Sequence, residues 1–301
     1  MLSQLLAENS LILAEGAIAE QLRRFPEVEL HPTLFNTPLI YGPENSRSRM
    51  TALYREYLDI ASRAGLPLLL TAPTWRLDAG RVSEAGVPPS INTDAVNYLC
   101  QVRDSFPSRR EVLVGALIGP RGDCYRPEQS PPAEEAERFH TPQIEELAAT
   151  RAEFLLAQTM PSVREALGIA RAAGKTGKPY LISFCARPDG SILDGTRLDE
   201  AMDTIDRSVD SPPLGYSVNC THPSFFLDSY QPGSLKRLVG IQANGSSKDV
   251  TQLDGATQTQ ADPVDDWARA MLSFHQRHGV KILGGCCGTS AKHFERLVTF
   301  F

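Results

Sequence analysis

Short apolar runs alternate with helical patterns along the chain, and this alternation limits the fold more than any other feature. Eight runs rich in Leu, Ile and Val predict buried strands near positions 11, 68, 112, 153, 180, 215, 238 and 280. Strands that are apolar on both faces and separated by helices are typical of a parallel sheet covered by helices. Eight such units predict an α/β protein with one closed (β/α)8 TIM barrel. An open doubly wound sheet is the alternative, but no Gly-x-Gly-x-x-Gly motif follows the first strand.

Helical patterns fill the intervals between these runs. In Ser46–Arg63 the apolar residues share one stripe at helical spacing, and Gly65 ends the pattern. The proline-rich segment Arg121–Pro142 predicts a long loop before a helix at Thr141–Thr150, and long loops often act as lids. The 301 residues contain no internal repeat or linker. Because a TIM barrel needs about 250 residues, we expect a single domain over residues 1–301.

Composition excludes several classes of partner and compartment. The net charge of −6 argues against nucleic acid, because phosphate binding needs a basic surface. No apolar run approaches the roughly 20 residues of a membrane span, and the first ten residues lack the features of a signal peptide. Six cysteines are too few for a disulfide scaffold of this length. We therefore expect a cytoplasmic protein with reduced thiols; no sequence feature defines its oligomeric state.

Two adjacent cysteines, Cys286 and Cys287, lie between glycines in Gly-Gly-Cys-Cys-Gly-Thr at 284–289, directly after the last apolar run. Glycine permits backbone angles that can turn both thiols toward one point. Cys220 ends the sixth predicted strand, and the carboxyl ends of barrel strands meet at one mouth. The three cysteines therefore predict a metal site with three thiolate ligands. A buried structural role for Cys220 and a strained Cys286–Cys287 disulfide are the alternatives.

The cysteine pair, together with Asn219-Cys220 upstream, resembles the homocysteine S-methyltransferase family of zinc-dependent barrels. The resemblance implies a Zn²⁺ cofactor held by Cys220, Cys286 and Cys287. It implies methyl transfer from a sulfonium-type donor to the thiol of homocysteine, giving methionine. The betaine-using branch carries a C-terminal extension, and the cobalamin- and folate-using relatives carry further domains. Because this chain stops at Phe301, the resemblance favours the branch that uses S-methylmethionine or S-adenosylmethionine.

Other strand ends resemble the family's substrate-binding turns. The resemblance assigns substrate contacts to eight residues: Glu15, Gly16, Ala17, Ile18, Thr71, Gln158, Asn219 and Asn244. Two of them depart from the family pattern, since Glu15 replaces Asp and Gln158 replaces a Glu that binds the substrate ammonium. An amide offers a hydrogen bond to an ammonium group but no charge. These departures leave open a methyltransferase or demethylating enzyme acting on another thiol, or a non-catalytic zinc-binding barrel.

Two further residues carry expectations of their own. Trp75 follows the second strand and could contribute an aromatic wall around a cationic donor, although ordinary packing explains it equally well. His222 lies two residues after Cys220. Histidine is a common zinc ligand, but the family does not use one here.

Overall fold

A computed structural model of the protein describes residues 1–253 and 260–301. Eight parallel strands form one closed barrel, in which each strand pairs with the next along the chain. β1 pairs with β8 through Ile12–Ile282 and Leu13–Leu283, and this pairing closes the barrel. The predicted (β/α)8 barrel is confirmed, with every predicted strand present. The strands are β1 Ile12–Ala14, β2 Leu68–Ala72, β3 Val112–Ile118, β4 Phe154–Met160, β5 Tyr180–Phe184, β6 Gly215–Thr221, β7 Leu238–Ala243 and β8 Ile282–Gly285.

Twelve segments of the described residues are α-helical. They are α1 Leu2–Glu8, α2 Ala19–Leu22, α3 Glu44–Ala64, α4 Ala79–Ala85, α5 Ile91–Asp104, α6 Ala133–Ala148, α7 Val163–Gly174, α8 Leu198–Ser208, α9 Ser224–Leu227, α10 Val250–Leu253, α11 Val264–His278 and α12 Ala291–Val298. Short 3-10 turns cover Thr37–Ile40 and Pro127–Gln129. No helix within the described ranges is long and apolar enough to cross a membrane.

The strands are buried on both faces, and most of their apolar side chains divide between two clusters. Alternate strand residues, among them Leu69, Leu113 and Ile282, form the smaller cluster with Leu2 and Leu5 of α1. The residues between them pack in the larger cluster with the surrounding helices. This alternation is what a period of two produces in a barrel. We infer that α1 closes the amino end of the barrel and leaves the carboxyl end for the site.

The predicted boundary of α6 was wrong. This helix begins at Ala133 and continues through Pro142, so the preceding loop covers only residues 119–132. Proline in a helix interior removes one backbone donor and usually ends the helix. Here α6 packs closely on α7, where a Cβ at Gly168 would lie 2.5 Å from the carbonyl oxygen of Ala133. Tertiary packing therefore outweighs the local preference.

Candidate metal centre

Three cysteine sulfurs converge at the carboxyl end of the barrel. The Sγ atoms of Cys220, Cys286 and Cys287 all lie within 4.8 Å of one another, and those of Cys220 and Cys286 are 2.8 Å apart. No other histidine, aspartate or glutamate in the described parts of the chain joins this group. The six cysteines are all unpaired, so Cys286 and Cys287 form no disulfide with each other. The three sulfurs form a metal-binding arrangement with one side open to a cavity.

A bulge in β6 brings Cys220 to this point. The pairing of β6 with β7 shifts register between Asn219 and Thr221, and Cys220 has a left-handed backbone with φ of 50°. A non-glycine residue in that conformation costs roughly 1–3 kcal/mol and persists where the surroundings enforce it. Bulges re-aim a side chain at the edge of a sheet. The sequence gives no sign of this bulge, because Asn219 and Cys220 continue an ordinary strand pattern.

A hydrogen-bonded turn after β8 holds the other two thiols. The amide of Cys286 donates to the carbonyl of Ala243 at 2.7 Å, and the amide of Gly245 donates to the carbonyl of Cys287 at 2.8 Å. Gly288 follows with φ of 83°, which only glycine adopts without strain. The turn is therefore tied to the end of β7, and its two thiols share one fixed backbone.

Asn219 links the thiol of Cys220 to the barrel wall. Its Nδ2 lies 3.3 Å from the sulfur of Cys220 and 2.7 Å from the hydroxyl of Thr159. Its Oδ1 accepts hydrogen bonds from the amide of Thr159 at 2.9 Å and from the hydroxyl of Ser183 at 2.7 Å. Asn219 does not line the cavity. Its amide thus orients a sulfur ligand, a role that supports metal sites from outside the ligand set.

The three thiols differ in how readily they lose their protons. Hydrogen bonds from the thiols of Cys286 and Cys287 hold the pKa of Cys220 well below its usual range. Because those thiols donate to Cys220, the pKa of Cys286 is well above its ordinary value, and that of Cys287 is raised to about 12. One sulfur therefore ionises readily while the other two keep their protons. A cation at the centre would release those protons, since a coordinating thiol is deprotonated by its metal.

Neighbouring candidates for ligands lie outside the group. Cys124 lines the cavity, and Cys185 directly follows β5 with its thiol 3.5 Å from the carbonyl of Cys220. Neither joins the group of three sulfurs. The Nδ1 of His222 is 2.7 Å from the hydroxyl of Ser224, and burial lowers the pKa of its imidazole. The imidazole of His222 is thus a buried neutral neighbour of the centre.

A cavity of about 780 Å³ opens over the three sulfurs. Seven of the eight predicted substrate contacts line it, at the ends of four different strands. They are Glu15, Gly16, Ala17, Ile18, Thr71, Gln158 and Asn244. Cavities of 300–1,000 Å³ hold small-molecule substrates. The volume is therefore sufficient for an amino acid and a second small molecule together.

Glu15 is a buried carboxyl group in the wall of this cavity, with 4% of its surface exposed. Its Oε1 accepts hydrogen bonds from the amide of Thr71 at 3.1 Å and from the Thr71 hydroxyl. Its Oε2 is buried and has no partner within the described residues. Burial raises the pKa of Glu15 to about 7. The carboxyl group is thus poised to ionise near neutral pH, with one oxygen left for a ligand.

Gln158 and Gln242 join across the mouth of the barrel. The Nε2 of Gln158 donates to the Oε1 of Gln242 at 2.7 Å, and Gln242 in turn donates to the backbone carbonyl of Glu15 at 3.4 Å. Asn244, at the end of β7, has a buried Oδ1 without a partner among the described residues. Sequence reasoning missed Gln242, although a polar residue one position before the end of an apolar strand was a usable signal.

Comparisons with known proteins agree with this geometry. The family model for homocysteine S-methyltransferase matches residues 12–301. The chain belongs to the homocysteine S-methyltransferase family. This confirms the predicted family and its enzyme class, so the protein is a methyltransferase. The motif at 284–289, together with Cys220, thus led to the correct family from the sequence.

Individual members of the homocysteine S-methyltransferase family resemble the chain over most of its length. Homocysteine S-methyltransferase YbgG of Bacillus subtilis (strain 168) is 24% identical and covers 96% of this chain and 94% of its own. Homocysteine S-methyltransferase of Escherichia coli (strain K12) is also 24% identical, with the same coverage of both chains. The metallated form of the homocysteine methyltransferase MmuM from Escherichia coli has the same fold, with a TM-score of 0.77 at 20% identity over 99% of both chains.

Proposed function

We propose that this barrel transfers a methyl group from a sulfonium-type donor to the thiol of homocysteine, giving methionine, with Zn²⁺ as its metal. The main support for this proposal is that the sulfurs of Cys220, Cys286 and Cys287 lie close together. The same cavity contains a carboxyl group and an amide that suit the ammonium group of an amino acid. A thiol-binding metal and an amino-acid pocket in one cavity are what homocysteine requires.

The donor set fits zinc in type and in number. Zinc binds thiolate sulfur at about 2.3 Å, which separates tetrahedral sulfurs by about 3.8 Å. The three sulfurs here lie within 4.8 Å of one another; those of Cys220 and Cys286, at 2.8 Å, would have to move apart by about 1 Å to bind zinc. Three protein ligands leave one position for a substrate, as in catalytic rather than structural zinc sites. When bound, zinc would lower the pKa of a coordinating substrate thiol and so supply a nucleophilic sulfur at neutral pH.

The opposite wall of the cavity would bind the amino-acid end of homocysteine. The free Oε2 of Glu15 is an acceptor for an ammonium group, and the side chain of Gln158 offers a second, uncharged contact. The backbone of Gly16 and Ala17 lines the cavity beside Glu15, where amide groups can receive a carboxylate. The hydroxyl of Thr71 holds the carboxyl group of Glu15 in place. These contacts would orient the acceptor with its thiol directed at the three cysteines.

The loop over residues 119–132 would exclude water from the reacting atoms. It brings Asp123, Cys124 and Tyr125 into the wall of the cavity, and Tyr125 packs against the small apolar cluster that contains Cys220. In a single in-line step, a bond forms between the acceptor sulfur and the methyl carbon while the bond from that carbon to the donor sulfur breaks. Because no proton moves in this step, the reaction needs no acid or base from the protein. The protein needs only to position the two substrates and to exclude water from the mouth of the barrel.

A different thiol as acceptor is the second candidate. Gln158 provides no charge for an ammonium group, and the raised pKa of Glu15 leaves that carboxyl group partly protonated at pH 7. Both features weaken the preference for an amino acid. An uncharged or smaller thiol would lose less from them, so turnover should be compared across homocysteine, selenohomocysteine and small thiols.

Metal analysis followed by methyl transfer to homocysteine from S-methylmethionine and S-adenosylmethionine tests the proposal. Cys286→Ala is expected to abolish both zinc binding and turnover, because one ligand of three is removed. Cys100→Ala is the matched control, since this buried cysteine of α5 lies outside the cavity. Full zinc and full rate in Cys286→Ala would refute the assignment.

We further propose that residues 1–301 act as one homocysteine-binding domain in the cytoplasm. Three free thiols at the centre need a reducing compartment to bind metal rather than oxidise. Localisation of a tagged chain, together with a thiol count in cell extracts, would test the compartment.

A further inference from the structure

Two arginines of the cavity wall have no ion-pair partner within residues 1–253 and 260–301. The guanidinium groups of Arg23 and Arg76 both line the cavity. Each lies 5.3 Å from the centre of the same Phe35 ring. Arg76 also lies 5.0 Å from the ring of Trp75, which stacks on Phe35 at 5.9 Å. Two cations and two aromatic rings thus form one cluster, which we call the arginine rim.

Nearby negative groups balance the charges of the arginine rim only in part: Asp78, Asp123 and Cys124 act to raise the pKa of Arg76, and Arg23 in turn acts to lower the pKa of Cys287. Neither guanidinium makes a hydrogen bond or an ion pair within residues 1–253 and 260–301. The Nε of Arg76 is buried and has no partner there, and burial lowers the pKa of its guanidinium. A buried donor without a partner is costly and calls for a ligand or a water. By contrast Arg24, next to Arg23 in the chain, pairs with Glu20.

This arrangement disfavours a donor that carries only positive charge. The aromatic faces of Phe35 and Trp75 are the natural place for a sulfonium or quaternary ammonium group. The two guanidinium groups already lie over those rings, and like charges repel at this range. A donor that also has a carboxylate reverses the balance, because guanidinium forks bind carboxylates with two parallel hydrogen bonds.

We propose that Arg23 and Arg76 bind the carboxylate of the methyl donor. This inference rests on the proposed function for the existence of a donor, and it adds the residues that bind the donor's anionic end. The aromatic rings hold the aliphatic part of the donor and the arginines fix its anionic end. Its methyl group can then be directed toward the acceptor sulfur.

Calorimetric titration of the zinc-loaded protein with S-methyl-L-methionine, in the absence of any acceptor, tests this site without turnover. Arg23→Gln and Arg76→Gln are each expected to weaken donor binding about 10- to 100-fold, the usual range for a lost charged hydrogen bond. The carboxamide of the donor, which lacks the negative charge, is expected to bind wild type as weakly as the acid binds the double variant. Arg23 is exposed, so its variant should fold even where Arg76→Gln does not.

Arg47→Gln is the matched control. Its guanidinium also covers an aromatic ring, that of Tyr98 at 5.7 Å, but it lies outside the cavity. Donor binding in this variant should equal wild type. Equal binding of the acid and the carboxamide would overturn the proposal.

Homocysteine binding separates this site from the acceptor site and from the proposed function itself. The affinity for homocysteine should be the same in Arg23→Gln as in wild type. A loss of homocysteine binding with unchanged donor binding would assign the rim to the acceptor and refute the donor site. Failure of homocysteine to change the visible spectrum of the cobalt-substituted protein would instead refute the proposed function. Carboxylate-dependent donor binding would still be measurable in that case.

Discussion

Substitution of Glu15 by Gln should remove a specific pH dependence of stability. Burial raises the pKa of this carboxyl group from 4.5 to about 7 in the folded protein. At about 1.4 kcal/mol per unit of pKa, this rise corresponds to a cost of about 3 kcal/mol for ionising Glu15 in the folded protein. The cost arises because one carboxyl oxygen is buried with no partner among the described residues. Hydrogen bonds from Thr71 to the other oxygen lower the pKa but do not offset the burial.

The direction of the effect follows from proton binding. Below pH 4.5 the carboxyl group is protonated in both the folded and unfolded chains, so it adds no pH dependence. Between pH 4.5 and 7 the unfolded chain loses its proton while the folded chain keeps it. The free energy of unfolding therefore falls by about 3 kcal/mol as pH rises through this window. Glu15→Gln has no proton to lose and should lack this decline.

Urea unfolding of metal-free wild type and Glu15→Gln from pH 4.5 to 8.5 measures the effect. The difference between their free energies of unfolding should change by about 3 kcal/mol across the series, because all other titrating groups are common to both. Glu128→Gln, an exposed substitution, is the control and should follow wild type. Parallel profiles for wild type and Glu15→Gln would refute the reasoning.

Adding homocysteine should lower the pKa of Glu15, since an ammonium group beside the carboxyl group favours its charged form.

Three further substitutions test other parts of the cavity. Asn219→Ala should weaken zinc affinity about 10- to 100-fold in a chelator competition, because the amide that orients the Cys220 sulfur is lost. Gly16→Ala should cost about 1–3 kcal/mol in urea unfolding, since a Cβ there would lie 2.5 Å from the hydroxyl oxygen of Tyr57. Gln158→Glu should lower the KM for homocysteine about tenfold, because a charged contact replaces a neutral one; an unchanged KM would place the ammonium group elsewhere.

The barrel was predictable because its determinants are local and repeated. Eight apolar runs separated by helical stripes leave few other folds, and the motif at 284–289 marks the end of the last strand. The helix α1 was not predicted, because its two core residues, Leu2 and Leu5, form too short a pattern to indicate a helix. The start of α6 was misplaced because Pro142 argues against a helix that packing on α7 enforces.

The metal ligands were predicted from chemistry rather than from geometry. Adjacent cysteines between glycines are rare enough to indicate a site, whereas Gln242, Arg23 and Arg76 carry no motif. Their roles depend on where separate strands and loops bring them, and no spacing in the sequence encodes that. The raised pKa of Glu15 likewise depends on burial by residues far along the chain.

Two strained residues explain how a regular barrel produces an irregular site. Thr159 in β4 and Cys220 in β6 both have left-handed backbones, with φ of 64° and 50°, and each lies where its strand shifts register. Asn219 bonds to the backbone and hydroxyl of Thr159 and to the sulfur of Cys220, while Ser183 of β5 bonds to Asn219. One buried amide therefore couples both bulges across three strands. Because each bulge is stable only where its surroundings enforce it, the loss of Asn219 should displace both the Gln158 side chain and the Cys220 sulfur.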